Sequence, residues 1–226
     1  MRALKFSSIL SISFSLLGLA NGQSGIENLK PFFQSTEDSP LHALIPTLTG
    51  YKVLRPTLED IEPLKEAIQA ALSELKAEEM NARRANEAGL QVEEVLIKHL
   101  RAHGFDAQIP KTQSGKRRSV GYPDIAFVKE GRAYYLEVKT FNARTAHSTM
   151  RTFYLSPSKD PKITRDASHL LVAFELEEPE ADTYRAVSAR LLDLYDLECG
   201  LKFEFNASNR DLYGNALELF ELSEEP

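Results

Sequence analysis

Apolar residues recur at helical spacing in two stretches of the chain. One apolar stripe predicts a helix from about residue 57 to 80, and its members are Leu64, Ile68, Leu72 and Leu75. A capping box formed by Thr57 and Asp60 begins this helix. A second stripe predicts a helix from about 88 to 102, ended by Gly104. Both helices present one apolar face, so we expect them to pack against a sheet.

Strand-like segments, rich in β-branched and aromatic residues, follow the second helix. They are predicted at 105–109, 125–128, 133–138, 151–155, 169–175, 184–191 and 201–206. The 169–175 segment is apolar enough to be buried on both faces. Helices followed by strands in this order predict an α/β fold with a central mixed β-sheet flanked by helices.

The two strands over 125–128 and 133–138 flank a short turn that contains Gly131, and they form a predicted hairpin. With a two- or four-residue loop, the antiparallel register places Asp124 opposite Glu137, and Lys139 joins Glu137 on the same face. The apolar residues alternate to the other face, which we expect to be core. A three-residue loop with a glycine bulge would shift this register by one.

Two adjacent carboxylates and an ammonium group suit metal-assisted phosphodiester cleavage. Mg²⁺, with Mn²⁺ as a substitute, takes one or two carboxylates and leaves positions for phosphate oxygens and water. Lys139 would orient or deprotonate that water, or neutralise the charged phosphate. The competing interpretation is an exposed hairpin edge with a cross-strand ion pair.

Charge is divided unevenly along the chain. The net charge is −6 overall, but residues 111–165 carry +8, between segments of −3 and −11. A polyanionic substrate responds to the local charge around a site. The loop before the hairpin contains four basic residues predicted to hold phosphates: Lys111, Lys116, Arg117 and Arg118. The competing interpretation is a solvated basic loop.

The N-terminal region predicts three segments. Residues 1–22 resemble a signal peptide, too short for a membrane span, or are a spurious extension from a mis-assigned start. A real signal would imply a secreted or periplasmic protein, and a mis-assigned start a cytoplasmic one. Residues 23–56, rich in proline, predict an irregular lead-in. Residues 57–226 are expected to form one domain.

Helix, strand, basic loop, Pro123-Asp124, hairpin and Glu137-Val138-Lys139 follow one another over roughly residues 86–177. This order resembles the PD-(D/E)xK nuclease superfamily, which includes restriction endonucleases and Holliday-junction resolvases. The resemblance implies a restriction endonuclease-like core. The later segments at 149–158, around Lys162 and Arg165, and at 206–210 are more similar to a type II restriction enzyme than to a resolvase.

The resemblance also implies further site residues. The resolvase-like helix carries an active-site glutamate eleven residues before Gly104-Phe105, which corresponds to Glu93 and implies another metal or water ligand. Glu94 points about 100° away around the helix. Two more arginines, Arg144 and Arg151, are implied to contact the DNA together with the basic loop.

The leading hypothesis is a Mg²⁺-dependent endonuclease that acts on double-stranded DNA. Double-strand cutting would suit a homodimer, and restriction would imply a partner methyltransferase that protects the same sites. The alternatives are an exported nuclease of low specificity and a non-catalytic nucleic-acid-binding module of the same fold.

Overall fold

A β-sheet with helices packed on it occupies residues 38–200. The computed structural model describes residues 38–83, 85–118, 120–142, 152–201 and 208, with backbone alone at 85 and 86. In chain order its elements are β1 (Ser39–Pro40), α1 (Leu41–Thr49), β2 (Val53–Leu54), α2 (Leu58–Ala77), β3 (Met80–Asn81), α3 (Ala85–Ala102), β4 (Ile125–Lys129), β5 (Arg132–Phe141), β6 (Ala167–Glu180), β7 (Thr183–Asp193) and β8 (Glu198–Cys199).

The sheet is mixed. Its strand order within the described residues is β3-β7-β6-β5-β4, and β2 pairs with β6 beside this path. β5 and β2 run parallel to β6, whereas β4–β5, β6–β7 and β3–β7 are antiparallel. With helices packed on the sheet, this arrangement confirms the predicted α/β class and restriction endonuclease-like core.

Side chains of successive sheet residues enter two different cores. On β5, Tyr134, Leu136 and Val138 face α2 and α3 in one buried cluster. Tyr135 joins a second cluster that contains Leu41 of α1. The face predicted to be free for chemistry is therefore partly covered by α1 and by the loop before β6, which turns an open face into a recess.

Long helix α2 begins as predicted. Thr57 and Asp60 form the capping box, in which the Thr57 backbone N–H donates to Asp60 at 2.9 Å. Arg132, at the start of β5, donates to the same Asp60 carboxylate at 2.8 Å. The hairpin turn is therefore tied to the first turn of the helix that covers the sheet.

Several predicted boundaries differ from the structure. Residues 41–49 are helical, although the prolines predicted an irregular lead-in over 23–56. Leu41 and Ile45 of this helix are fully buried, so the packing of these side chains outweighs the tendency of a proline-rich segment to be irregular. The predicted strand at 105–109 is reduced to one bridge between Gln108 and Ala126. Residues 152–155 do not form a strand. Arg151, residues 1–37 and residues 202–207 lie outside the described residues.

No helix in the described ranges is long and apolar enough to cross a membrane.

Candidate active site

The hairpin brings Asp124 and Glu137 together. Ile125 of β4 pairs with Leu136 of β5, so the next position outward places Asp124 opposite Glu137, the register that a two-residue turn predicts. Glu130 and Gly131 both adopt positive φ at this turn, the combination of a two-residue hairpin loop. The Val138 backbone N–H donates to Asp124 Oδ2 at 2.9 Å, which fixes the carboxylate against β5.

Glu137 is a buried carboxylate with one free oxygen. Its side chain is only 4% exposed. Oε1 accepts from Lys139 Nζ at 2.6 Å, whereas Oε2 is buried and has no hydrogen-bond partner among the described residues. Burial and the nearby Asp124 carboxylate raise the pKa of Glu137 to about 7, against the opposing effect of the Lys139 ammonium.

Glu93 approaches the same site from helix α3. It is half-buried, whereas Glu94 is exposed. Burial and the Asp124 charge raise the pKa of Glu93 to about 7, and Lys139 and Lys162 oppose that rise. The charges of Asp124, Lys139 and Lys162 therefore act on the Glu93 carboxyl. Of the two adjacent glutamates, Glu93 is the one shielded from solvent.

A second lysine, Lys162, enters the site from the loop before β6. Its side chain is buried, with 6% exposed, and Nζ donates to the Pro123 carbonyl at 2.9 Å and to the Gly121 carbonyl. Burial lowers the pKa of Lys162, against the charges of Asp124, Glu137 and Glu93, which raise it. Sequence reasoning noted the region around Lys162 but gave it no role, because a loop lysine has no periodic pattern that predicts burial.

These residues border a cavity of about 630 Å³. Asp124, Glu137, Lys139 and Lys162 line it, together with Arg118 of the basic loop. Cationic side chains therefore border the same cavity as the two carboxylates. A polyanion would be attracted to such a recess.

The basic loop is held in a turn rather than left free. Lys111 and Arg117 form a β-bridge, and Ser114 donates from both its backbone N–H and its hydroxyl to Asp160, each at 2.8 Å. The four basic side chains predicted to hold phosphates, Lys111, Lys116, Arg117 and Arg118, are all exposed. Lys111 borders a different and smaller cavity of about 200 Å³, whereas Arg118 borders the site. Arg144 and Arg151 lie outside the described residues.

The back wall of the site is a buried Tyr–His pair. Tyr122, two residues before Asp124, hydrogen-bonds through its hydroxyl to Nδ1 of His169 at 2.6 Å, and the rings stack at 5.8 Å. His169 is fully buried, and burial lowers its pKa to about 3, so the imidazole is neutral at physiological pH. This neutral wall adds no positive charge beneath the carboxylates.

The donor set fits a hard divalent cation that keeps several waters. No three His, Cys, Asp or Glu side chains in the described ranges form a metal-binding group. Zinc in a structural site needs about four protein ligands, whereas Mg²⁺ needs only one or two carboxylates. Glu137 Oε2, which is buried and has no hydrogen-bond partner within the described ranges, is the oxygen that such an ion would satisfy.

Comparison with known proteins adds independent information. The sequence model of the Type II restriction enzyme MjaV family matches residues 34–216. The chain is also 37% identical over 215 residues to the type II restriction enzyme MjaV of Methanocaldococcus jannaschii, and the alignment covers 85% of this chain and 93% of that protein. The match includes every residue of the site described above.

Proposed function

This chain belongs to the type II restriction enzyme MjaV family, and on that premise we propose that it is a Mg²⁺-dependent PD-(D/E)xK endonuclease that hydrolyses phosphodiester bonds in double-stranded DNA. Membership of the family supports a restriction endonuclease. The metal, the superfamily and the catalytic residues are our proposal.

One observation carries the proposal. Asp124 and Glu137 lie side by side on a hairpin. Glu137 Oε2 is buried without a hydrogen-bond partner in the part of the chain that the structure describes, and Lys139 is bonded to the other oxygen. Burying carboxylates together is unfavourable unless a cation compensates them. The arrangement therefore costs the fold free energy, which a bound cation would recover.

Asp124 and Glu137 would hold Mg²⁺ as ligands, with Glu93 as a further metal or water ligand. The ion would supply a Lewis acid and a bound water of lowered pKa. Lys139 presents its ammonium to the same place, where it orients the attacking water or neutralises the phosphate. A Lys139→Arg variant separates these roles because arginine keeps the charge but cannot accept the proton.

Contacts to the DNA backbone are assigned to the basic residues around the cavity. Arg118 borders the recess itself, and Lys111, Lys116 and Arg117 extend the positive surface along the same loop. Arg144 and Arg151, which the sequence resemblance implies, are proposed to contact the DNA as well. A homodimer would allow both strands to be cut at a symmetric site, and a methyltransferase of the same specificity would protect the host DNA.

The test is cleavage of purified DNA of diverse sequence with Mg²⁺. The wild-type protein should give discrete fragments, whereas a smear would favour a nuclease of low specificity. Asp124→Asn and Lys139→Met should each slow cleavage by about 100-fold or more, because each removes a group needed at the reacting phosphate. Asp106→Asn is the control for Asp124→Asn. It makes the same substitution at an exposed position on another loop and should leave the rate unchanged.

Circular dichroism of each variant would show that the fold is retained. Binding of DNA without cleavage at any divalent cation concentration would support the non-catalytic module instead. Full cleavage by both Asp124→Asn and Lys139→Met would remove this site from consideration.

A further inference from the structure

Lys162 is a buried lysine that borders the cavity described above, and its ammonium group is hydrogen-bonded to the backbone of a turn. It donates to the carbonyls of Gly121 and Pro123, on either side of Tyr122. The Pro123 carbonyl belongs to the peptide bond that joins Pro123 to Asp124, so one of these hydrogen bonds holds the peptide unit next to the proposed metal ligand. An ammonium has three donors, and two of them are used to hold this backbone.

Three carboxylates also act on this side chain electrostatically. Burial lowers the pKa of Lys162, and the charges of Asp124, Glu137 and Glu93 oppose that fall. Hydrogen bonds from a charged donor are stronger than those between neutral groups. Lys162 therefore holds the turn with strong hydrogen bonds.

The backbone that carries Lys162 is anchored on both sides without help from the lysine itself. Before it, the Pro161 carbonyl accepts from the Gln113 N–H at 2.9 Å. After it, Ile163 is 2% exposed and the Thr164 N–H donates to the Tyr135 hydroxyl at 2.8 Å. The backbone of Lys162 is therefore held in place by its neighbours, so the side chain can hold the 121–123 turn.

We propose that Lys162 is a positioning residue that places Asp124 in the active site by holding the carbonyls of Gly121 and Pro123. This inference rests on the proposed function only for the effect of Lys162 on cleavage. The hydrogen bonds by which Lys162 holds the turn do not depend on that function. A misplacement of about 1 Å at a reacting centre can lower a rate by roughly 100-fold, so a small shift of the turn is enough to impair the enzyme.

The first test needs neither metal nor DNA. The Val138 amide donates to Asp124 Oδ2, so its NMR shift and hydrogen-exchange rate report where the carboxylate lies. Lys162→Met should move the Val138 resonance and speed the exchange of its amide by about tenfold or more. That factor corresponds to the loss of the hydrogen bond from the Val138 N–H to the Asp124 carboxylate. Lys159→Met makes the same change at an exposed position in the same loop and should leave both unchanged.

Two further variants keep the test decisive if Lys162→Met does not fold. Lys162→Arg keeps the charge and the donors, and Lys162→Gln keeps a neutral donor. Arginine should restore the Val138 signal more fully than glutamine, because the charged donor makes the stronger bond. Equal Val138 exchange in the wild type and in every folded Lys162 variant would overturn the proposal.

The second test is single-turnover cleavage at saturating enzyme, which reports only folded, DNA-bound protein. Lys162→Met should cut about 100-fold more slowly, with its dissociation constant for DNA within about threefold of the wild type, because two of the ammonium's three donors are used by the Gly121 and Pro123 carbonyls. A matched loss of DNA affinity at an unchanged single-turnover rate would show that Lys162 is a DNA contact, which contradicts the proposal.

The two tests fail separately. If the wild type does not cut DNA but Lys162→Met still frees the Val138 amide, the proposed function is wrong and the positioning role stands. If the wild type cuts DNA and the variant neither frees Val138 nor slows cleavage, the positioning role is wrong and the proposed function stands.

Discussion

Replacing Glu137 by glutamine should stabilise the metal-free protein at alkaline pH while abolishing cleavage. The pKa of this carboxyl rises from 4.5 to about 7 in the folded protein, chiefly through burial and then through Asp124. Between those two pH values, the folded protein keeps a proton that the unfolded chain has released. The free energy of unfolding therefore falls as pH rises, and this loss is complete above the folded pKa.

The size of the effect follows from the shift. One pKa unit corresponds to about 1.4 kcal/mol, so ionised Glu137 lowers the free energy of unfolding by roughly 3 kcal/mol at pH 8 and by less than about 1 kcal/mol at pH 5. Glutamine has nearly the same shape and does not titrate. The variant should therefore gain about 2 to 3 kcal/mol over the wild type between pH 5 and pH 8.

Urea unfolding in EDTA, followed by circular dichroism at both pH values, measures this difference. Titrating groups remote from Glu137 are common to both proteins and cancel. Glu66→Gln makes the same substitution at an exposed position of α2 and controls for the loss of a surface charge. A Glu137→Gln difference that stays constant from pH 5 to pH 8, within about 0.5 kcal/mol, would refute the argument from burial.

Arg118→Ala should weaken DNA binding and reduce the slope of log affinity against log salt concentration by about 1, because the side chain is proposed to neutralise one phosphate. Fluorescence anisotropy with Ca²⁺ in place of Mg²⁺, over a series of salt concentrations, measures both quantities, and an unchanged slope would exclude the contact. Tyr122→Phe should lower the free energy of unfolding by about 1–3 kcal/mol, because it leaves a buried nitrogen of His169 unpaired, and identical urea midpoints would contradict this. Glu93→Gln should slow single-turnover cleavage by about tenfold or more, whereas Glu94→Gln, the exposed neighbour, should stay within about twofold; equal rates in both variants would dismiss Glu93.

The hairpin could be predicted in detail because its information is local. A glycine in a short turn and the alternation of apolar residues on both sides determine the register, and the structure confirms the pairing of β4 with β5. The long helices were likewise predicted within a few residues from their apolar stripes. For Asp124 and Glu137, twelve residues of sequence therefore contained most of the geometry.

What could not be predicted depends on distant packing. Lys162 reaches Pro123 across 39 residues from a loop without periodicity. Helix α1 forms in a proline-rich segment because Leu41 and Ile45 find a buried cluster, and a local pattern cannot anticipate that cluster. The same cluster covers the sheet face that alternation alone assigned to solvent. Propensity is overridden wherever distant residues provide the burial.

The pairing of the first strands with late parts of the chain has a consequence for synthesis on the ribosome. β1 pairs with β8 at Ser39 and Cys199, and β2 pairs with the start of β6 at Val53 and Ala167. The early segments therefore wait for more than a hundred residues before their partners emerge, a delay on the order of ten seconds. A prematurely terminated chain that ends before β6 lacks the central strand beside Glu137 and Lys139. For a protein that cuts DNA, this order of assembly would confine the reactive site to chains that have been translated beyond β6.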